Sequence, residues 1–330
     1  MENREKHILK IIGIPDDNRV DVGYNDGFLK EFLLNFDGNS SFLENITLHN
    51  AHITTAYLGG KDHFQTLQLA FKPDIIVNMM CDPEVQKKSL LLFENLNFKA
   101  PILNHPRDIA KTARDTVSQN LHSTPEFIIP KTYRIAPNTK EEIRALGKHY
   151  FGDKAFLFRP VSSHGGEGLF KIDDVTSETF DAFVLDGNKE YFLSEFVDFK
   201  NSEGVYQKAR FYMINAKAYP RHYIDADTWK IHAHSRESMK NIEEEKRFLE
   251  NPPPLFEKFC AYVYAYLKLD FFGVDCAMLP DGKIVLFEAN VCMRPFANHT
   301  QEHLQAAEKN LLTAFGALLN TRIESRTSKV

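Results

Sequence analysis

Short apolar runs punctuated by Gly, Pro, Asp and Asn alternate with stretches of helical spacing along the first third of the chain. Ile8–Ile14 is compact and closes on Gly-Ile-Pro, which predicts a buried first strand. Asp26–Phe36 has helical spacing and is expected as a helix. Ile53–Leu58, closed by Gly59-Gly60, and Ile75–Met80, opened by Pro73-Asp74, read as further strands. Val85–Leu96 follows as a helix and Pro101–Asn104 as a strand. This alternation predicts a small parallel α/β lobe over residues 1–104. It holds no G-x-G-x-x-G, so no dinucleotide site is expected.

His105-Pro106-Arg107-Asp108 marks a boundary, and Asp108 is placed to cap a helix over Ile109–Leu121. On that helix Lys111 and Arg114 lie three apart and project from neighbouring positions. Thr132–Ile135 reads as a strand, and Thr139–Tyr150 as a helix whose Thr139 and Glu142 match a capping box. The strand Ala155–Phe158 runs into Arg159-Pro160, a Gly-rich stretch and a second strand at 169–172. Tyr191–Phe199 reads as a strand and linker, and Tyr206–Ile214 as a strand with Lys208, Arg210 and Tyr212 on one face. Met239–Glu250 is a charged surface helix stopped by Pro252-Pro253-Pro254; Leu255–Leu267 is an aromatic-rich core helix. Phe271–Asn290 is two strands joined at Pro280-Asp281-Gly282. A long amphipathic helix is expected from Gln301 to Leu319, with a polar, frayed tail over Thr321–Val330.

Composition narrows the class. A chain of 330 residues suits two or three lobes, and 43% hydrophobic with 26% charged residues is ordinary for a soluble globular protein. A net charge of −5 argues against nucleic acid as the main partner. The cysteines, Cys81, Cys260, Cys276 and Cys292, form no C-x-x-C pair, as expected of reduced thiols in a cytoplasm. The N-terminal apolar run, interrupted by Lys10, is too short for a signal peptide. No stretch has the ~20 apolar residues of a membrane span, so the expected protein is cytoplasmic and the Asn-x-Ser/Thr matches at Asn39, Asn45 and Asn298 are chance.

The candidate chemistry sits in three places. In the last hairpin Glu288 and Asn290 share a face, and folding at Asp281-Gly282 returns Asp275 beside them. Two carboxylates and an amide oxygen make a hard-oxygen set suited to Mg²⁺; taken alone, acids facing water are the commoner outcome. In Val161–Phe170, glycines let backbone amides form a nest for phosphate. Taken alone that stretch reads equally as a hairpin connection; Arg159 at its entrance, able to clamp phosphate, tips the reading. Lys208 and Arg210 are cations on a half-buried strand, which calls for anionic ligands unless the strand is a solvated edge. His232 and His234 lack a third ligand at suitable spacing.

The order of these pieces, from α/β lobe to Asp…Glu-x-Asn hairpin, resembles the ATP-grasp superfamily, and glutathione synthetase and its relatives most closely. The resemblance covers nearly the whole chain and is clearest from Asn104 to Asn290. It implies an ATP-grasp fold, α/β overall and α+β in the nucleotide lobes. Its segments would be an N-terminal domain (1–104), a central domain with an ATP lid (105–198) and a C-terminal domain with the metal site (199–330). Arg114 and Arg159 match the nucleotide-binding cations of the family, and Ser162–Gly168, with Ser163, His164, Gly165, Gly166 and Gly168, resembles its mobile phosphate-covering loop. Glu195-Phe196-Val197 resembles the hinge that reads adenine, with Asp198 as a candidate for the ribose. Arg210 matches the arginine that steadies the transferred phosphoryl group, and Lys208 would contact phosphate. Asp275, Glu288 and Asn290 match the magnesium ligands. Arg221, His222 and Arg294 are candidates for holding the substrates.

The resemblance thus implies ATP and Mg²⁺ as cofactors and a ligase that joins a small-molecule or peptide carboxylate to an amine through an acyl phosphate. The alternatives are an ATP-grasp kinase acting on a hydroxyl and a non-catalytic nucleotide-binding protein. Many members self-associate, so a homo-oligomer is compatible with it. Three departures stand out. Arginine replaces lysine at both cation positions, the ribose partner has no firm match, and Val291–Pro295 differs from the small-residue loop of glutathione synthetase.

Overall fold

The computed structural model of the chain describes residues 5–16, 21–25, 31–35, 51–59, 71–163, 166–173, 178–231, 235–236, 239–291 and 301–327. In the N-terminal part β1 (Lys6–Ile14) pairs in parallel with β4 (Ala51–Gly59) and β5 (Ile75–Asn78), and β6 (Ile102–Leu103) extends the sheet in the order β4-β1-β5-β6. Ile8, Leu9, Ile11, Ile75, Ile76 and Val77 are fully buried. Strands covered on both faces read as continuous apolar runs, which is why they were visible in the sequence. The helix α1 (Lys87–Asn95) buries Leu90 and Phe93.

The helix expected over Asp26–Phe36 is overturned where it can be seen. β2 (Asp21–Asn25) and β3 (Glu31–Asn35) form an antiparallel hairpin with Tyr24 opposite Phe32 and Val22 opposite Leu34. Residues 26–30 and 36 lie outside the described residues. Pairing of β-branched and aromatic positions across strands overrides local helical spacing.

The single helix expected over Ile109–Leu121 is also corrected. α2 (Pro106–Ile109) is capped by His105, whose Nδ1 accepts from Arg107 N–H at 3.3 Å, not by Asp108. A 3₁₀ turn over Ala110–Thr112 leads to Ala113 in extended conformation, and α3 (Arg114–Asn120) starts afresh. Lys111 turns to Asp108, 2.5 Å away, so it and Arg114 do not share a helix face. The break places Arg114 at a helix N-terminus.

A second, antiparallel sheet has the order β10-β9-β11-β8, from β8 (Thr132–Ile135), β9 (Phe156–Pro160), β10 (Phe170–Ile172) and β11 (Tyr191–Glu195). It packs on α4 (Lys140–Phe151) and α5 (Glu178–Ala182), an element the sequence did not signal. Phe158 stacks on Tyr191 at 4.8 Å, and Phe180 meets it edge-on at 5.4 Å. Half of the expected capping box forms: Thr139 Oγ1 accepts from Glu142 N–H at 3.1 Å, while Glu142 Oε2 reaches back one residue further, to Asn138 N–H.

The third sheet has the order β13-β12-β14-β15-β7, from β7 (Phe127–Ile128), β12 (Tyr206–Ile214), β13 (Lys217–Ala226), β14 (Phe271–Met278) and β15 (Ile284–Asn290). β13 was not expected because Pro220 interrupts it. It is an edge strand, and Pro220 adjoins a bulge at Arg221, both positions a proline tolerates. One face is covered by α6 (Ile242–Glu250) and α7 (Pro254–Leu267), with Phe211 against Phe256 at 5.4 Å and Phe248 at 5.5 Å. The opposite face carries Lys208 and Arg210. α8 (Glu302–Thr327) runs past the expected end, with Phe315 edge-on to Phe271 and Ile323 buried, so much of the expected frayed tail is helix.

Asn104 joins the first and third sheets. Its φ of 55° is left-handed, a region asparagine tolerates. It accepts from Asn78 through its carbonyl and from Phe271 N–H through Oδ1, and donates to Asp270 and to the Phe271 carbonyl at 2.7 Å.

Candidate functional site

The hairpin turn forms as the Asp-Gly signal predicts: Gly282 takes φ 82° and donates to the Leu279 carbonyl at 2.9 Å. The register then sets Asp275 opposite Glu288 and Gly273 opposite Asn290. A bulge follows Asp275, leaving Phe287 outside the pairing. Arg114, reaching from the start of α3, uses this irregularity. Its Nη1 donates to the Phe287 carbonyl at 3.3 Å and its Nη2 to Glu288 Oε1 at 2.5 Å.

On the neighbouring strand Arg210 grips Asp275 with two bonds of 2.6 and 2.7 Å. Lys208 adds a third at 3.3 Å and also donates to the Ile231 carbonyl. Burial opposes charge on both acids, but neighbouring cations outweigh it. Arg210 and Lys208 hold Asp275 well below the usual carboxylate range. Arg114 and Arg159 pull Glu288 down to about 2.

Arg159, at the end of β9, is 8% exposed. Its Nε donates to Ser163 Oγ at 3.2 Å and its Nη2 to the Ser163 carbonyl, so it braces the loop it was expected to help in binding phosphate. Burial and then the Arg114 charge push it down to about 9, so it stays charged at neutral pH. The two guanidiniums lie within each other's field, and the Glu288 and Asp82 carboxylates offset part of their charge. Gly166 and Gly168 take φ 76° and 61°, and a Cβ on Gly168 would lie 2.9 Å from Pro160 Cδ. An open cleft is lined by Asp82, Arg114, Ser163, Phe192, Glu288 and Asn290. Glu288 and Asn290 of the hairpin therefore share one cavity with Val161 and Ser163 at the entrance of the glycine turn, while Asp275, Lys208 and Arg210 do not line it.

The residues partly fit a hard cation. Asn290 is 8% exposed, and its Oδ1 is buried with no hydrogen-bond partner among the described residues. Glu288 bonds Arg114 through one oxygen. Asp275, by contrast, has both oxygens engaged by Arg210 and Lys208. Among the described residues no three His, Cys, Asp or Glu side chains form a metal cluster. A site here would combine acids with the Asn290 amide oxygen.

Other expected residues stand apart. None of Glu195, Phe196, Val197 and Asp198 lines the cleft. Phe196 is covered edge-on by Trp229 at 5.8 Å and by the Lys171 ammonium at 4.5 Å, and Asp198 accepts from Lys200 N–H. Arg221 is 3% exposed and pairs with Glu308 on α8 at 2.6 Å; burial lowers its pKa. His222 lies directly opposite Arg210 on the sheet. His164, Gly165 and Arg294 lie outside the described residues.

Sequence reasoning missed Arg134. It donates to Glu84, Asp115 and Glu190 and lies 4.9 Å over the Phe192 ring. Those partners tie the turn after β5 to α3 and to the second sheet, beside the cleft. The available signal was an arginine inside the short strand Thr132–Ile135, with no partner nearby in sequence.

No family model matches the chain, and no curated protein matches it. Solved structures do. The VanG D-Ala:D-Ser ligase from Enterococcus faecalis superposes with a TM-score of 0.55 at 14% identity, covering 97% of this chain and 100% of that one. The D-alanine–D-alanine ligase from Coxiella burnetii gives 0.55 at 11% identity, with 98% of each chain covered. The D-alanine–D-alanine ligase from Bacillus anthracis complexed with ATP gives 0.52 at 12% identity, covering 98% and 100%. The fold is thus the ATP-grasp fold, with its parallel N-terminal sheet and two antiparallel-type sheets. These structures do not specify the glutathione synthetase-like subfamily. Among the described residues no helix is long and apolar enough to cross a membrane.

Proposed function

We propose that the protein is an ATP-dependent ligase that joins a carboxylate to an amine through an acyl phosphate. One observation carries this reading: Arg114, Ser163, Glu288 and Asn290 line a single cleft, with Arg159 bracing the loop beside it. Phosphoryl transfer needs positioning and charge neutralisation more than a nucleophilic side chain, and this set supplies both. The relatives in fold include ligases that join D-alanine to D-alanine or D-serine, which is consistent with an amino-acid or peptide substrate here.

In this reading Arg114 and Arg159 turn to phosphate oxygens, and Arg210 and Lys208 offset charge developing on the acyl phosphate. Glu288, Asn290 and Asp275 would hold Mg²⁺, which when bound neutralises the polyphosphate. The glycine turn over Ser163–Gly168 excludes water that would hydrolyse the intermediate. Glu195–Asp198 would border the base and ribose, and Arg221, His222 and Arg294 the substrates. The division into 1–104, 105–198 and 199–330 follows the same reading.

The test is a screen of amino-acid and short-peptide mixtures with ATP and Mg²⁺, reading phosphate release and product mass. An amide product with stoichiometric phosphate supports the ligase; a stable phosphoester with ADP, or no turnover despite ATP binding, rejects it.

A further inference from the structure

Strand register sets His222 opposite Arg210, Arg210 opposite Asp275 and Asp275 opposite Glu288. Directly opposed residues on antiparallel strands share a face, so these four side chains form one row across β13, β12, β14 and β15. The Glu288 end of the row carries Arg114, with Arg159 and the glycine turn nearby. His222 closes the other end. The cleft itself reaches the row only at Glu288; in the ligase reading, a polyphosphate lodged there would direct its transferred group along the row toward Arg210, and the acyl carbon and its attacker would meet beside His222. The residue keeps some exposure, yet its Nε2 is buried and has no hydrogen-bond partner among the described residues. A buried ring nitrogen without a partner is costly, and a substrate N–H satisfies it once the side chains covering it move aside.

Resting on the ligase reading, we propose that His222 is the general base of amide formation, its Nε2 taking the proton of the attacking amine. The charges that act on the ring are Arg210, directly opposite it, and Lys208 on β12, Asp275 on β14 and Arg221 on its own strand. Burial first, then the cations, holds His222 well below the ordinary histidine range. The ring is therefore neutral at pH 7, and the tautomer protonated on Nδ1 presents Nε2 as an acceptor. The same cations favour the free-base form of an incoming amine.

The step balances. The amine lone pair forms the C–N bond to the acyl carbon, which makes that nitrogen positive and strongly acidic, so a weak base suffices. His222 takes the N–H proton. The bond from carbon to the phosphate oxygen breaks with its electron pair on oxygen, and His222 returns the proton to the departing phosphate. Amine and acyl phosphate become amide and hydrogen phosphate, and the ring ends neutral.

The experiment compares the wild type with His222→Gln and His222→Asn, each given ATP, Mg²⁺ and a mixture of amino acids and dipeptides, with and without hydroxylamine. Hydroxylamine is unprotonated at neutral pH and captures an acyl phosphate as hydroxamate with little need of a base. The expected result is a fall of at least about 100-fold in the ratio of amide to hydroxamate in both variants. An unchanged ratio overturns the proposal. So does loss of both products together, or loss of ATP binding by calorimetry, since each assigns His222 to an earlier step or to the fold. A wild type that binds ATP yet yields no hydroxamate rejects the ligase reading itself, a different signature from the failure of His222 alone.

Discussion

Glu288 answers two guanidiniums at once, and that defines its ionisation. A carboxyl drawn down to about 2 stabilises the folded state above its unfolded value of about 4.3. That contribution disappears as pH falls through the folded value. Asp275 is shifted the same way. Stability measured by urea denaturation is therefore expected to be flat from pH 7 down to about 5 in these two groups and to fall between about pH 4 and 2. In Glu288→Gln that acid-side loss is expected to be shallower. The same variant keeps the shape of the side chain but not its charge, so folding is expected to survive while ADP release falls below about 1% of wild type. Near-normal ADP release in that variant would remove Glu288 from the metal set. Arg159→Ala is expected to weaken ATP binding by about 1.5–3 kcal/mol, read by calorimetry, because a charge-assisted contact and the brace on Ser163 go together.

At the scale of elements, the glycine turn between β9 and β10 is fixed by Pro160 and Gly168. Gly168→Ala adds a Cβ in left-handed backbone, 2.9 Å from Pro160 Cδ. It is expected to cost about 1–2 kcal/mol and to loosen ATP binding more than it lowers the melting temperature. The hairpin β14–β15 was legible from Phe271–Asn290 because Asp281-Gly282 forces the turn and alternation then decides which side chains return together. The break at Ala113 was not legible. Nothing in Ile109–Leu121 resembles a helix breaker, and it is the docking of Arg114 on Phe287 and Glu288, remote in sequence, that goes with the restart of α3. β3 was misread for a related reason: its apolar residues fit a helix face until β2 provides a pairing partner.

Across the whole molecule, two residues join the lobes. Asn104 makes three hydrogen bonds to Asp270 and Phe271 at the start of the third sheet and one to Asn78 of the first, all with groups far away in sequence. Asn104→Ala removes the two side-chain bonds, leaves the buried Phe271 N–H and carbonyl unmatched and puts alanine in left-handed backbone. A loss of about 2–4 kcal/mol in denaturant unfolding is expected, and a loss under about 0.5 kcal/mol would refute that role. Arg134 holds three carboxylates from three segments around the cleft. It is the clearest case of a residue whose importance no local pattern announces.

The sequence by itself determined the strands that are apolar throughout, the turn chemistry and the identities and relative order of the charged residues, because these depend on periodicity and on short-range backbone constraints. Register across strands decided the rest. Only tertiary pairing brings His222, Arg210, Asp275 and Glu288 into line, since each sits on a different strand and interstrand hydrogen bonding, not distance along the chain, sets which residues face one another.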